Sequence, residues 1–285
     1  MTEPVTVSAR AKVNLFLRIL SRESGGYHNL ETVYCLIELA DHLTVTRTTS
    51  AGVTLSVAGA DVGPDQDNLA YRAATVMLET IGKPFGVEIR LEKNIPAKAG
   101  LGGASSDAAA TLRAVNNLAG DTVPRHELIQ LGAKLGSDVS FFLSGESLAL
   151  AWGRGERLFA LPAPNPVPAL LVIPEFGVST PKAYALLDAA GPHHPRGAVI
   201  LNGDAFRTWG GIGRLGGNDF ESVIFGQHPD LREIFEKVAE THPLLVRMSG
   251  SGSAIFGLYR NEPGRDAAAE ILGKRFGTVI KTRTI

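Results

Sequence analysis

The chain has 285 residues, 44% of them hydrophobic, enough to bury one large core or two of ordinary size. Its 28 Lys plus Arg against 29 Asp plus Glu give a formal net charge of -1. That excludes the whole-surface field expected of a nucleic-acid or anionic-membrane binder, so a partner must be read by a local site. The single cysteine, Cys35, excludes an intramolecular disulfide, and no apolar run approaches the length of a membrane span. With no basic segment and apolar signal core in MTEPVTVSARAK, the expectation is a soluble cytoplasmic protein in which Cys35 is an inert core residue.

From Val5 to Leu20 the sequence VTVSARAKVNLFLRIL alternates. Val5, Val7, Ala9, Ala11, Val13, Leu15, Leu17 and Ile19 share one parity, and Arg10, Lys12 and Asn14 the other. Strand side chains alternate faces, so this reads as a long half-buried strand aiming three polar groups one way. SRESGGYHNLET follows as a turn, then strand-like runs at TVYCLIEL, HLTVTRT and GVTLSVAG. NLAYRAATVMLETIG carries apolar residues at helical spacing and a closing glycine, and VEIRLEKNIP is a strand that ends at Pro96. In SDAAATLRAVNNLAG, Ala108, Leu112, Val115 and Ala119 form one stripe ending at Gly120, the mark of a helix beginning near Ser105. PRHELIQLGAKLG is a further helix, with Pro124 at its first turn and Gly136 beyond its end.

The four prolines of LPAPNPVP, Leu161 to Pro168, mark a boundary, dividing the chain into residues 1–160 and 161–285. Beyond it come a strand, a turn and a helix in ALLVIPEFGVSTPKAYALLDAA, then GPHHPRG and WGGIGRLGGND, expected to be mobile loops or a lid. The chain closes with helix PDLREIFEKVAE, strand LLVRMS, turn SGSGS, strand AIFGLY, helix DAAAEILGKRF and strand TVIKTRTI. Strands and helices mix without strict βαβ alternation, which predicts an α+β fold in two domains.

The stretch PAKAGLGGASSDAAATL follows a strand and opens a helix. Gly100, Gly102 and Gly103 leave backbone N–H groups bare, and a helix start adds unpaired N–H groups and a positive dipole end, so phosphate binds well there. No Gly-Lys-Ser/Thr follows at Walker spacing, and Ser105 stands where a dinucleotide fingerprint would need its third glycine. The competing reading is a helix entry softened by small residues and capped by serine, with Asp107 complementing the dipole. The preceding strand, Lys98, and the hydroxyls of Ser105 and Ser106 favour an anion site.

PAKAGLGGASSDAA resembles the phosphate-binding motif of the GHMP kinases, the superfamily of galactokinase, homoserine kinase, mevalonate kinase and phosphomevalonate kinase. ARAKVNLFLRIL and GGYHNLETVY resemble one branch of it, whose acceptor is a cytidine diphosphate derivative used in the non-mevalonate route to isoprenoids. LGSDVSFFLSG, GRGE, GVSTPKAY, NDFE and SGSGSAIF continue the similarity in order along nearly the whole chain. The resemblance implies a two-domain GHMP kinase fold, an active site in the cleft between the domains, ATP with Mg²⁺ as co-substrate, and a monomer or weak homodimer. Where that family usually has a third consecutive glycine this chain has Ala104, which requires a backbone conformation that tolerates a Cβ.

The resemblance also implies roles. Asp138 is the catalytic base, although from spacing alone it reads as the N-cap of a short helix starting at Val139. Lys12 is the active-site lysine and Asn14, on the same strand face, a substrate ligand. Pro96, Ala97, Lys98, Ala99, Gly100, Leu101, Gly102, Gly103, Ala104, Ser105 and Ser106 form the ATP phosphate loop, and Ser105 and Ser106 are the nearest hydroxyls for Mg²⁺. Asn68 is an adenine-side candidate whose other reading is a helix cap. Tyr27 and His28 flank the cytosine, with Tyr184 as a second aromatic wall; the other reading of Tyr184 is a helix core residue. SGSGS is either a second backbone nest near the substrate phosphates or a tight turn into a strand. The seven histidines show no zinc spacing, and His193 and His194 read as solvated.

Three alternatives stand beside this one. Another small-molecule kinase of the superfamily is disfavoured by AKVNLFL and GYH, and a non-catalytic metabolite sensor by the presence of both Lys12 and Asp138. A nucleic-acid-binding module, suggested by the likeness of the N-terminal half to a ribosomal-protein domain, is disfavoured by the near-neutral charge.

Overall fold

The structure is a computed structural model that describes residues 3–59, 63–82, 85–191, 203–273 and 275–285. His193 and His194 lie outside these residues. The chain opens with two long strands, β1 (Val5–Arg22) and β2 (His28–Thr48), paired antiparallel along their length. TVYCLIEL and HLTVTRT, expected as separate strands, are thus one. A crossover follows: β3 (Val53–Ala58), helix α1 (Leu69–Ile81) and β4 (Gly86–Glu92), the two strands lying parallel. Helices α2 (Gly103–Leu118), α3 (Arg125–Leu135) and α4 (Ser137–Ser144) lead to β5 (Leu148–Gly153) and β6 (Arg157–Ala160). These strands form one sheet in the order β3-β4-β2-β5-β6, with β1 on the other edge of β2.

Past the prolines, β7 (Pro168–Ile173) leads to α5 (Thr180–Ala189), α6 (Trp209–Arg214), α7 (Asp219–Gln227) and α8 (Pro229–Glu240). Strands β8 (Leu245–Met248) and β9 (Ile255–Leu258), helix α9 (Glu262–Gly273) and β10 (Thr278–Arg283) complete a second, antiparallel sheet in the order β10-β7-β9-β8. The architecture is α+β, as the irregular alternation of elements predicts. No helix among the described residues is long and apolar enough to cross a membrane.

The two halves share a core. Val13, Leu15 and Phe16 of β1 pack in one cluster with Leu171 of β7, Phe256 of β9, Trp209 and Ile212. This changes two expectations. Strand β1 alternates as expected only from Val5 to Arg10; from Ala11 to Leu17 every residue is buried, because that stretch lies between layers of structure on both faces. Arg10 does not join Lys12 and Asn14, since an irregularity between Arg10 and Lys12 breaks the alternation and leaves Arg10 exposed. The glycine-rich WGGIGRLGGND is a loop only from Leu215 to Asn218; Trp209 to Arg214 form α6. Thr208 caps α6 by accepting from the Gly211 N–H at 3.0 Å, Trp209 and Ile212 are buried, and Asn218 caps α7. Tertiary packing and the Thr208 cap outweigh the poor helix propensity of glycine in α6.

Candidate active site

A cavity of about 1650 Å³ runs between the halves, lined by β1, the glycine-rich loop, the ends of α3 and α4, the turn after β5, α5 and the Gly250–Ser251 turn. Lys12 projects from β1 into it, yet is only 4% exposed. Its Nζ donates to Asn14 Oδ1 at 2.7 Å and lies 3.4 Å from Asp138 Oδ2. Asn14 is fixed in turn by donating to Thr32 Oγ1 at 2.8 Å, and Thr32 donates to the Phe16 carbonyl at 2.6 Å. Asp138 sits in the first turn of α4, where the positive dipole end favours a negative charge. It does not cap the helix: Gly136 occupies the cap position, and the Asp138 carboxylate is turned toward Lys12 and Tyr34. Tyr34 donates its hydroxyl to Asp138 Oδ1 at 2.8 Å.

The glycine-rich loop passes beside this pair. Gly100 and Gly102 have φ of 78° and 73°, in the left-handed region that favours glycine. A Cβ on Gly100 would collide with the Ser249 carbonyl oxygen, and one on Gly102 would lie 2.9 Å from Phe142 and 3.1 Å from Lys12. The helix begins at Gly103, earlier than the alanine stripe suggests, and Gly102 at its cap offers no side chain to the first N–H groups. Ala104 lies inside that first turn, in helical conformation, so its Cβ costs nothing. Ser105 lines the cavity and Ser106 is 3% exposed. Lys98 is exposed with φ 55°. The SGSGS segment closes against the loop: Ser249 Oγ donates to the Gly100 carbonyl at 2.9 Å, and Ala254 N to Ala99 O at 3.1 Å.

At one end of the cavity Asn68 lines the wall while its Oδ1 accepts from the Ala70 N–H at 2.9 Å, so the cap and the wall coincide. At the other end, His28 and Tyr184 stack on each other with centroids 4.6 Å apart, and His28 Nε2 is 2.7 Å from Asp188 Oδ1. No base fits between two rings that close, so these two residues make one composite wall. Tyr27, 58% exposed, stands apart with the Arg154 guanidinium 3.8 Å from its ring centroid. Tyr184 also packs edge-on against Phe220 at 4.9 Å, so its core reading and its cavity reading both hold. Burial, then the negative Asp138, push its hydroxyl up to about 12.

Two groups of residues escape the sequence reading. Tyr34 and Thr32 lie in a run legible only as a strand, and the register that sets Tyr34 beside Asn14 is a pairing of strands distant in sequence. Asp107 is not a first-turn dipole partner; it lies one turn further along α2, 2% exposed, with Oδ2 accepting from Lys93 Nζ at 2.7 Å. Lys93 also donates to Asp41, whose Oδ1 holds the N–H groups of Asn94 and Ile95. One lysine between two carboxylates leaves Asp107 undercompensated. Burial pushes its carboxyl up to about 7, Lys93 pulls it down and the neighbouring Asp41 raises it again. Cys35 is buried and its thiol is pushed up to about 12 by burial, in keeping with an inert core residue.

The fold and this arrangement of loop, lysine and aspartate define a GHMP kinase: residues 68–146 match the GHMP kinases N terminal domain and residues 204–278 the GHMP kinases C terminal domain. The chain is 41% identical over 93% of its length, and 93% of the relative's, to 4-diphosphocytidyl-2-C-methyl-D-erythritol kinase of Pelotomaculum thermopropionicum. It is 39% identical to that of Brevibacillus brevis, over 90% of this chain and 88% of the other. A crystal structure of 4-(cytidine 5'-diphospho)-2C-methyl-D-erythritol kinase superposes with a TM-score of 0.80 at 38% identity, covering 98% of this chain and 99% of that one. The chain belongs to the 4-diphosphocytidyl-2-C-methyl-D-erythritol kinase family.

Proposed function

We propose that the protein transfers the γ-phosphoryl group of ATP to the 2-hydroxyl of 4-diphosphocytidyl-2-C-methyl-D-erythritol, with Asp138 as proton acceptor and Lys12 beside it. The observation that carries this reading is the buried Lys12 ammonium 3.4 Å from a cavity-facing Asp138, next to a loop that cannot bear side chains at Gly100 and Gly102. Phosphoryl transfer asks a protein mainly for alignment, charge neutralisation and a group to take the hydroxyl proton. The acceptor O–H proton passes to Asp138, the oxygen bonds to the γ-phosphorus, and the bond to the bridging oxygen breaks to leave ADP. Lys12 offsets the negative charge gathering at the acceptor and the moving phosphoryl group.

The loop from Pro96 to Ser106 and the start of α2 hold the triphosphate, with the nucleoside toward Asn68. The cytidine lies at the opposite end, between exposed Tyr27 and the composite wall of His28 and Tyr184. Mg²⁺ fits the hydroxyl donor set at the start of α2, and Ser105, which lines the cavity, suits it better than the buried Ser106. When bound with ATP it neutralises phosphate charge. A division into two domains at residues 160 and 161 accords with the separation of the two sheets on either side of it.

The test is ADP release from Mg-ATP with the cytidyl acceptor, run beside homoserine and mevalonate. Turnover with the cytidyl acceptor alone is expected. Turnover with another acceptor overturns the cytidine end, and no turnover with any of them favours a metabolite sensor.

A further inference from the structure

Tyr34 plays no part in the reaction as described, yet it is bound directly to the group proposed to take the proton. Its side chain rises from the middle of β2, across from Asn14 of β1 on one side and Ala149 of β5 on the other, and is 2% exposed. The ring packs against Phe141 of α4 with centroids 5.0 Å apart, and Lys12 Nζ lies 5.2 Å from its centroid. The turn after β5 closes over the hydroxyl: a Cβ on Gly155 would come within 2.6 Å of it. The hydroxyl is thus held in place by three elements and spends its hydrogen on Asp138 Oδ1.

We propose that Tyr34 is a positioning residue for the reaction: its hydroxyl engages Oδ1 of Asp138, so that Oδ2, the oxygen beside Lys12, is the one presented to the acceptor hydroxyl. This inference rests on the reading of Asp138 as proton acceptor. An aspartate near a helix start turns easily about its terminal torsion, which is broad and roughly two-fold. An ammonium at 3.4 Å attracts it but does not select one oxygen. A phenol donor from a packed ring does, and a hydrogen bond to the charged form of a carboxylate in general favours that form, which is the effect the test reads. Burial, followed by the negative Asp138, raises the Tyr34 hydroxyl well above its usual 10, so it stays a donor throughout the working range and never competes for the proton. The other charged and titratable groups sharing this part of the cavity are Lys12 of β1, Lys134 of α3, Arg154 and Glu156 of the turn after β5, and Tyr184 of α5.

The test is the pH dependence of kcat in the full-length enzyme carrying Tyr34→Phe, which keeps the ring and removes the donor. The expected result is a loss of kcat on the order of tenfold near neutrality, the net worth of a hydrogen bond to a charged group. KM for both substrates stays unchanged and the acid limb of the profile moves to higher pH. Placing 3-fluorotyrosine at position 34 keeps the shape, acidifies the phenol and strengthens its donation, so the limb moves to lower pH. A purely structural hydroxyl cannot produce opposite displacements, and the fluorinated protein carries the test alone if the phenylalanine variant fails to fold. Tyr259→Phe, whose hydroxyl bonds Thr241 away from the cavity, serves as the control and leaves the profile unchanged. An acid limb that moves in neither Tyr34 variant, or a loss confined to KM, overturns the proposal. Wild-type turnover in Asp138→Asn overturns the proposed function itself; an inactive Asp138→Asn beside an unmoved limb overturns the role of Tyr34 alone.

Discussion

Beside the glycine-rich loop, Lys12 and Asn14 are 4% and 1% exposed, and each is tied to a partner that is tied to another: Lys12 to Asn14, Asn14 to Thr32, Thr32 to the backbone of Phe16. At the far end, Tyr27 is 58% exposed and held by an arginine that itself leans on Glu23 at the surface. Under the proposed function, the contrast follows from what each end would have to do. Groups that act on a moving proton and phosphoryl group must hold their geometry closely, and strands and helix starts supply that rigidity. A base needs contact area and a few oriented polar groups, which a turn and a helix face provide with room to adjust.

Breaking the rigid end has the largest consequence. Asp138→Asn and Lys12→Ala are each expected to lower kcat on the order of a hundredfold or more, with the circular dichroism spectrum intact. Near-wild-type turnover in Asp138→Asn removes the catalytic meaning of that end. Next comes the buried cluster beneath the loop. The Asp107 carboxyl titrates at about 7 when folded, whereas an unfolded aspartate titrates near 4, so between those values the native state binds more protons. The contribution of this group to stability is therefore fully present below about pH 4 and is lost as pH rises through about 7. Asp107→Asn keeps an acceptor for Lys93 and removes this dependence, a difference on the order of 2 to 4 kcal/mol across the window. Urea midpoints measured from pH 4 to 8 check it; parallel curves for the two proteins sink the idea.

The adjustable end has the smallest and most selective effect. Tyr27→Ala is expected to raise KM for the acceptor by roughly tenfold, the loss of one stacking contact, with kcat and Tm unchanged. Tyr184→Ala raises the same KM and also lowers Tm, because its ring packs on Phe220. If both variants instead lower kcat with KM intact, the two ends are not separate devices and the comparison fails.

The parts of the site carried by local sequence were readable. Gly100 and Gly102 announce a backbone with positive φ, and Lys12 and Asn14 share a face because strand side chains alternate. The glycines of WGGIGR carry the same local signal and mislead, since Trp209 to Arg214 form a packed helix whose form is set by Thr208 and by burial of Trp209 and Ile212. Tyr34 and Thr32 were not legible as site residues, because nothing in TVYCLIEL says which strand it faces.

By itself, then, the sequence determined most of the elements and the phosphate-type loop, because these depend on backbone freedom and on spacing along one segment, while the lysine and aspartate stand out only through the family resemblance. Only the tertiary structure decided that the middle of β1 is buried on both faces, that Asp138 lies inside the first turn of its helix and meets Lys12 and Tyr34, and that His28 stacks on Tyr184. It also placed Lys93 between two carboxylates. Each of these is a meeting of side chains from segments far apart in the chain, fixed by strand register and by the packing of one half against the other.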